Sequence, residues 1–156
     1  MCGLVLTFEV PCRGRERMPS VTEVVILGGG PGGYEAALVA RQLGGEVTLV
    51  ERRGLGGSAV LTDVVPSKTL IAAAEVMAKI GTAEELGLRL SGDGRRLSQA
   101  VSVDMAKVNA RILCLAKAQS ADISARLEAE GVRIINGTGR LDGTRAVIAE
   151  SDGGTQ

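Results

Sequence analysis

Four branched apolar residues, Val24-Val25-Ile26-Leu27, run straight into Gly28-Gly29-Gly30-Pro31-Gly32-Gly33, and no other stretch constrains the fold as tightly. An apolar run of this length bounded by glycine is a buried strand. Gly28, Gly30 and Gly33 have G-x-G-x-x-G spacing. A helix-like segment follows from Tyr34 to Leu43, then a second apolar strand from Val47 to Val50 that ends on Glu51. Each glycine has a mechanical reason. The first permits a tight turn off the strand, the second lets backbone approach a pyrophosphate, and the third lets the helix pack close to the sheet. Free N–H groups at the helix start and the helix dipole favour phosphate charge. Glu51 supplies the acceptor that an adenosine ribose needs. A lone glycine fingerprint is weak evidence, because glycine-rich turns also serve as plain strand–helix connections. Here strand, helix, second strand and acid occur together, which points to a dinucleotide site.

Bulk composition removes whole classes of function. The 156 residues suffice for one domain with a real core. Charge is balanced at 18 basic and 18 acidic residues, so no basic surplus attracts nucleic acid. Phe8 and Tyr34 are the only aromatic residues, too few for a base-stacking platform. No apolar run approaches the ~18 residues of a membrane span. Histidine is absent, which removes the commonest general base and zinc ligand. No metal site is expected. Cys2, Cys12 and Cys114 form no C-x-x-C pair and fit a reducing compartment, hence a cytoplasmic location. Cys114 falls on an apolar helical stripe and is expected in the core.

Along the chain, strand 23–27, helix 31–44 and strand 46–51 form a right-handed parallel unit. Residues 52–63 read as a glycine-rich loop. Ser67 is placed as the cap of a helix reaching about Ile80, weakened by Gly81. Residues 87–99 read as an exposed connector with a turn at Gly92-Asp93-Gly94. Ser102 is taken to open a long helix that Gly131 stops, on the order of 40 Å in length. Residues 132–135 form a third parallel strand and 146–149 a fourth strand. Gly137-Thr138-Gly139 between them reads as a turn, equally an adenine contact or an ordinary bend on spacing alone. Asp152-Gly153-Gly154 looks like a hairpin turn with no return strand after it, which would leave the last strand as an open edge. Residues 1–20 are expected to be a disordered or mis-assigned extension, with Met18 as the natural start, and 21–156 a partial domain.

Leu55-Gly56-Gly57-Ser58-Ala59-Val60-Leu61-Thr62-Asp63-Val64-Val65-Pro66-Ser67-Lys68 adds a third ordered motif to the glycine fingerprint and Glu51. Together they resemble the flavoprotein disulfide reductases, dihydrolipoamide dehydrogenase among them, over about 21–154. The resemblance implies an α/β, Rossmann-like FAD-binding domain with a parallel sheet and flanking helices. It implies that Gly28, Gly30 and Gly33 face the pyrophosphate, continued by Gly56, Gly57 and Ser58. It places Glu51 on the adenosine ribose, Lys68 near the flavin ring and Gly139 on the adenine side. The sequence departs from the family where the chemistry is done. The two redox cysteines expected in this segment are Ala59 and Val64, and neither side chain forms a thiolate or a mixed disulfide. No catalytic residue is therefore assigned. The variant looks most like disulfide-deficient NAD(P)H–quinone reductases. The family's closing flavin-domain segment, its NAD(P)H domain and its dimerisation domain have no counterpart here. The expectation is the N-terminal portion of a flavin oxidoreductase, inactive alone and dimeric only at full length. The alternatives are a non-catalytic truncated dinucleotide-binding module and an NAD-binding regulator, since Glu51 suits NAD as well as FAD.

Overall fold

The computed structural model describes residues 5–9, 21–89 and 96–151. Its first strand is β1 (Val5–Glu9), followed by β2 (Glu23–Leu27), α1 (Pro31–Gln42) and β3 (Glu46–Glu51). Next come a short α2 (Gly57–Leu61), α3 (Val64–Thr82) and a 3-10 turn at Ala83–Leu86. A four-residue α4 (Leu97–Ala100) precedes the long α5 (Met105–Ala129), and β4 (Arg133–Asp142) and β5 (Ala146–Ser151) are the last described elements. Among the described residues the strands form one five-stranded sheet in the order β1-β5-β4-β3-β2. β2, β3 and β4 are parallel, while β5 runs antiparallel to β4 and β1 antiparallel to β5. This is the expected α/β, Rossmann-like architecture with flanking helices, although the sheet is parallel only on one side.

The main core lies between one sheet face and the helices α1 and α5. Ala37 and Leu38 of α1, Val47 and Leu49 of β3, Leu127 of α5, and Leu55 and Val132 are buried there. Successive residues of a strand point to opposite faces, so Val50 turns the other way and packs with Ile135 and Ala149. Arg41 ties the lower end of this layer together. Its Nε donates to the carbonyl of Glu130 and its Nη1 to that of Gly45, both at 2.8 Å. This joins the end of α5 to the α1–β3 turn. In contrast, α3 has no fully buried residue, and Leu70, Ile71 and Val76 are exposed. Among the described residues, no helix is long and apolar enough to cross a membrane.

Several expectations need correction. Gly137-Thr138-Gly139 is not a turn. It lies inside β4, paired with Ser151, Glu150 and Ala149, and the bend comes later, at Gly143, where φ is +65°. The loop 52–63 contains α2. Ser67 does not cap α3, which starts at Val64; the Ser67 N–H already donates to the Asp63 carbonyl at 2.8 Å. Pro66 is tolerated there because first-turn N–H groups have no helical partner to lose. Likewise, α5 begins after Asp104 rather than at Ser102. The Asp104 carboxylate accepts the Lys107 N–H at 3.0 Å, the bond of a good cap. Cys114 is exposed, not in the core. The inward stripe of α5 runs through Ile112, Ala116, Ile123 and Leu127, and Cys114, two residues from Ile112 and from Ala116, faces away. Residues 5–9, read as part of an unstructured extension, form β1 and cover the edge of β5 that the sequence left open. The turns expected at 92–94 and 152–154 and the start at Met18 lie outside the described residues.

Candidate functional site

Parallel strands direct their carboxyl ends to one edge of the sheet, and ligands of such sheets bind there. In this chain that edge carries a cavity of about 750 Å³. Its walls come from the glycine turn after β2, the segment after β3, α2 and the middle of β4. Of the residues singled out in the sequence, Gly28, Glu51, Gly57, Ser58, Gly137, Thr138 and Gly139 line it.

The glycine turn is built as its spacing suggests. Gly28 adopts φ +99°, a left-handed conformation that side chains disfavour, and its N–H donates to the Val50 carbonyl at 2.8 Å. A Cβ on Gly33 would overlap the Gly28 carbonyl oxygen, so the start of α1 can sit against the turn only with glycine there. A Cβ on Gly30 would meet nothing within 4 Å. Gly30 is the N-cap residue of α1 and supplies no side-chain cap, and the first turn holds no acid. The helix start therefore keeps its donors for an anion.

The second loop is fastened to the first. The Gly56 N–H donates to the Gly29 carbonyl at 2.7 Å, and a Cβ on Gly57 would lie 3.0 Å from the Cα of Gly30. Glu51 bridges the two loops. Its Oε2 accepts the Gly29 N–H at 2.7 Å and its Oε1 the Arg53 N–H at 2.6 Å. Burial opposes its ionisation, but backbone hydrogen bonds led by Arg53 and Gly29 outweigh this and hold the carboxyl below its usual 4.5. The folded protein thus binds this proton more weakly than the unfolded chain. The corresponding stability is complete above the unfolded value near 4.5 and is lost as pH falls through the lower folded value. Urea melts across that acid range should show this loss, and Glu51→Gln should remove it; an unchanged profile would refute the assignment.

The remaining sequence candidates lie further away. Gly30 and Gly33 shape the turn from behind, and Gly56 is buried beneath the second loop. Lys68 is exposed on α3 and is not part of the cavity wall. Ala59 is half-buried on α2, and Val64, 44% exposed, begins α3; neither lines the cavity. The wall includes residues that sequence reasoning missed: Leu27, Val50, Arg52, Arg53, Leu61 and Thr62. Gly29 was missed as well. A Cβ there would press on Leu55 and Glu51, which explains glycine at a position outside the G-x-G-x-x-G pattern. Position in a strand could have exposed Leu27 and Val50, since both end parallel strands that lead into the site.

The chain is 46% identical over 124 residues to the NAD(P)H dehydrogenase (quinone) of Mycobacterium tuberculosis, a match covering 78% of this chain and 24% of that protein. It is 34% identical over 134 residues to the dihydrolipoyl dehydrogenase of Zymomonas mobilis, covering 86% of this chain and 27% of that one. The chain thus spans about a quarter of the length of these relatives. The crystal structure of LpdA from M. tuberculosis superposes with a TM-score of 0.69 at 38% identity, covering 85% of this chain and 30% of LpdA. The model of the pyridine nucleotide-disulphide oxidoreductases matches residues 22–153, a span that holds the glycine turn, the Glu51 bridge and the β4 wall, and the chain belongs to that family.

Proposed function

We propose that residues 21–156 are part of an FAD-binding domain of a pyridine-nucleotide-dependent flavin oxidoreductase. The observation that carries this reading is the Glu51 carboxylate, which fastens two glycine loops at the rim of a cavity beside an uncapped helix start. The residues fit the cofactor on three counts. The turn at Gly28, shaped by Gly30 and Gly33 behind it, offers backbone and a positive helix end to a diphosphate, and Gly57 and Ser58, seated on the buried Gly56, extend that surface. Glu51 is held ionised and accepts hydroxyl donors. Gly139 gives the cavity a backbone wall on β4, because the place of its side chain is already filled by Leu27 and Val50. Lys68 is proposed to approach the flavin ring once the cofactor is bound.

FAD supplies hydride acceptance and onward electron delivery when bound. The chain's own residues bind and orient it. Ala59 and Val64 replace the thiols that would relay electrons to a disulfide, so the acceptor of a longer protein is proposed to be quinone-like, with NAD(P)H as donor. The name of the mycobacterial relative supports this choice over a dithiol substrate. A homodimer and a cytoplasmic location are proposed for such a protein only.

The test is direct. The purified chain mixed with FAD should acquire flavin absorbance that survives gel filtration, and its unfolding temperature should rise with FAD concentration. A folded chain that stays colourless and shows no shift refutes FAD binding. Retention of NAD instead would favour a nicotinamide-binding module.

A further inference from the structure

We propose that Arg52 and Arg53 form a planar, cationic cover over the purine ring of the bound dinucleotide, closing the base end of the cavity. The inference deepens the FAD reading above and takes its ligand from it.

Both arginines line the cavity, and both follow directly on Glu51. They are exposed, and neither guanidinium has a carboxylate or carbonyl partner among the described residues. Glu51 does not take that part. Its two oxygens accept main-chain N–H groups instead, those of Gly29 and Arg53. Unpartnered arginines are ordinary where they face open water. These two stand on a concave wall, one and two residues past the group proposed to hold the ribose. Consecutive Cα atoms lie about 3.8 Å apart, so a long side chain at either position reaches a base carried by that ribose.

The facing wall suits a flat ring. Leu27, 40% exposed, and Val50 end their parallel strands there, and the main chain at Gly137 and Gly139 brings no side chain into the space. Such a floor takes one face of a purine and leaves the other to be covered. No aromatic side chain is among the described residues that line the cavity, so no protein ring does this. A guanidinium can, because it is planar, weakly hydrated and stacks on aromatic faces, whereas an ammonium is a compact, strongly hydrated charge. The rival use of such arginines is to hold a 2′-phosphate on the ribose. That phosphate would set its charge against the Glu51 carboxylate, which leaves the arginines to the base.

Titration calorimetry on the full chain tests the cover with AMP and with ribose 5-phosphate, which is the same group without its base. The parent is compared with Arg52→Met plus Arg53→Met, and with Arg52→Lys plus Arg53→Lys. All three chains should melt alike, since both arginines are exposed. The parent should prefer AMP, and the methionine pair should shrink that preference about tenfold. The lysine pair, which keeps the charge but not the plane, should shrink it nearly as far. Adenosine 2′,5′-bisphosphate should bind the parent more weakly than AMP. Three results overturn the cover: a parent that does not prefer AMP, a preference unchanged by the methionine pair or fully kept by the lysine pair, or tighter binding of the bisphosphate. A parent whose preference for AMP depends on the arginines but which retains no FAD would refute the FAD reading and leave the cover standing.

Discussion

Valine in place of Gly33 is expected to abolish flavin retention and to lower the unfolding temperature by about 10 °C. A Cβ at that position would overlap the Gly28 carbonyl oxygen, a backbone atom that cannot swing aside as a side chain does. Either α1 moves off the sheet or the turn after β2 opens, and both disturb Ala37 and Leu38, which α1 buries in the core. Overpacking and backbone strain of this kind cost about 3 kcal/mol. In a domain of this size that corresponds to the stated shift in temperature. Gly32→Ala is the internal control. Nothing lies within 4 Å of a Cβ there, and alanine is the better helix former. Its unfolding temperature should stay the same or rise slightly. Thermal melts by circular dichroism compare the two; equal melting of the Gly33→Val chain and the parent would disprove the close approach of helix and turn.

Glu51→Ala is expected to weaken FAD binding about 100-fold, close to 2.7 kcal/mol. The loss has two sources. The ribose loses its charged acceptor, and the Gly29 and Arg53 N–H groups lose the carboxylate that orders their loops. Hydrogen bonds to charged groups contribute about 1.5–3 kcal/mol each, so the figure leaves room for water to replace part of what is removed. Glu51→Gln retains one carbonyl oxygen and should lose about tenfold. Titration of flavin fluorescence gives both constants. A Glu51→Ala chain that is folded and binds FAD as tightly as the parent would remove Glu51 from the site.

The first half of the site was legible because its signals are local. The strand β2 and the acid-terminated strand β3 follow from apolar runs bounded by glycine and charge, and the chain between them can only be the crossover helix. What escaped was set by contacts between distant residues. Gly137 and Gly139 suggested a turn because glycine usually breaks strands. In fact a Cβ on Gly137 would strike the backbone of Glu150, and one on Gly139 would press on Leu27 and Val50. Both glycines reflect crowding within the sheet rather than a bend. The strand β1 was hidden for a related reason. Four alternating residues, 6–9, among cysteine, proline and arginine carry little signal until β5 is known to need a neighbour. Asp104, too, was overlooked in favour of Ser102, although both are good capping residues and only the bond to Lys107 tells them apart.

The positions of Ala59 and Val64 have a pharmacological consequence. Trivalent arsenicals poison enzymes of the dithiol kind by bridging two neighbouring sulfurs. No such bridge can form between a methyl group and an isopropyl group, so positions 59 and 64 offer these poisons nothing to grip.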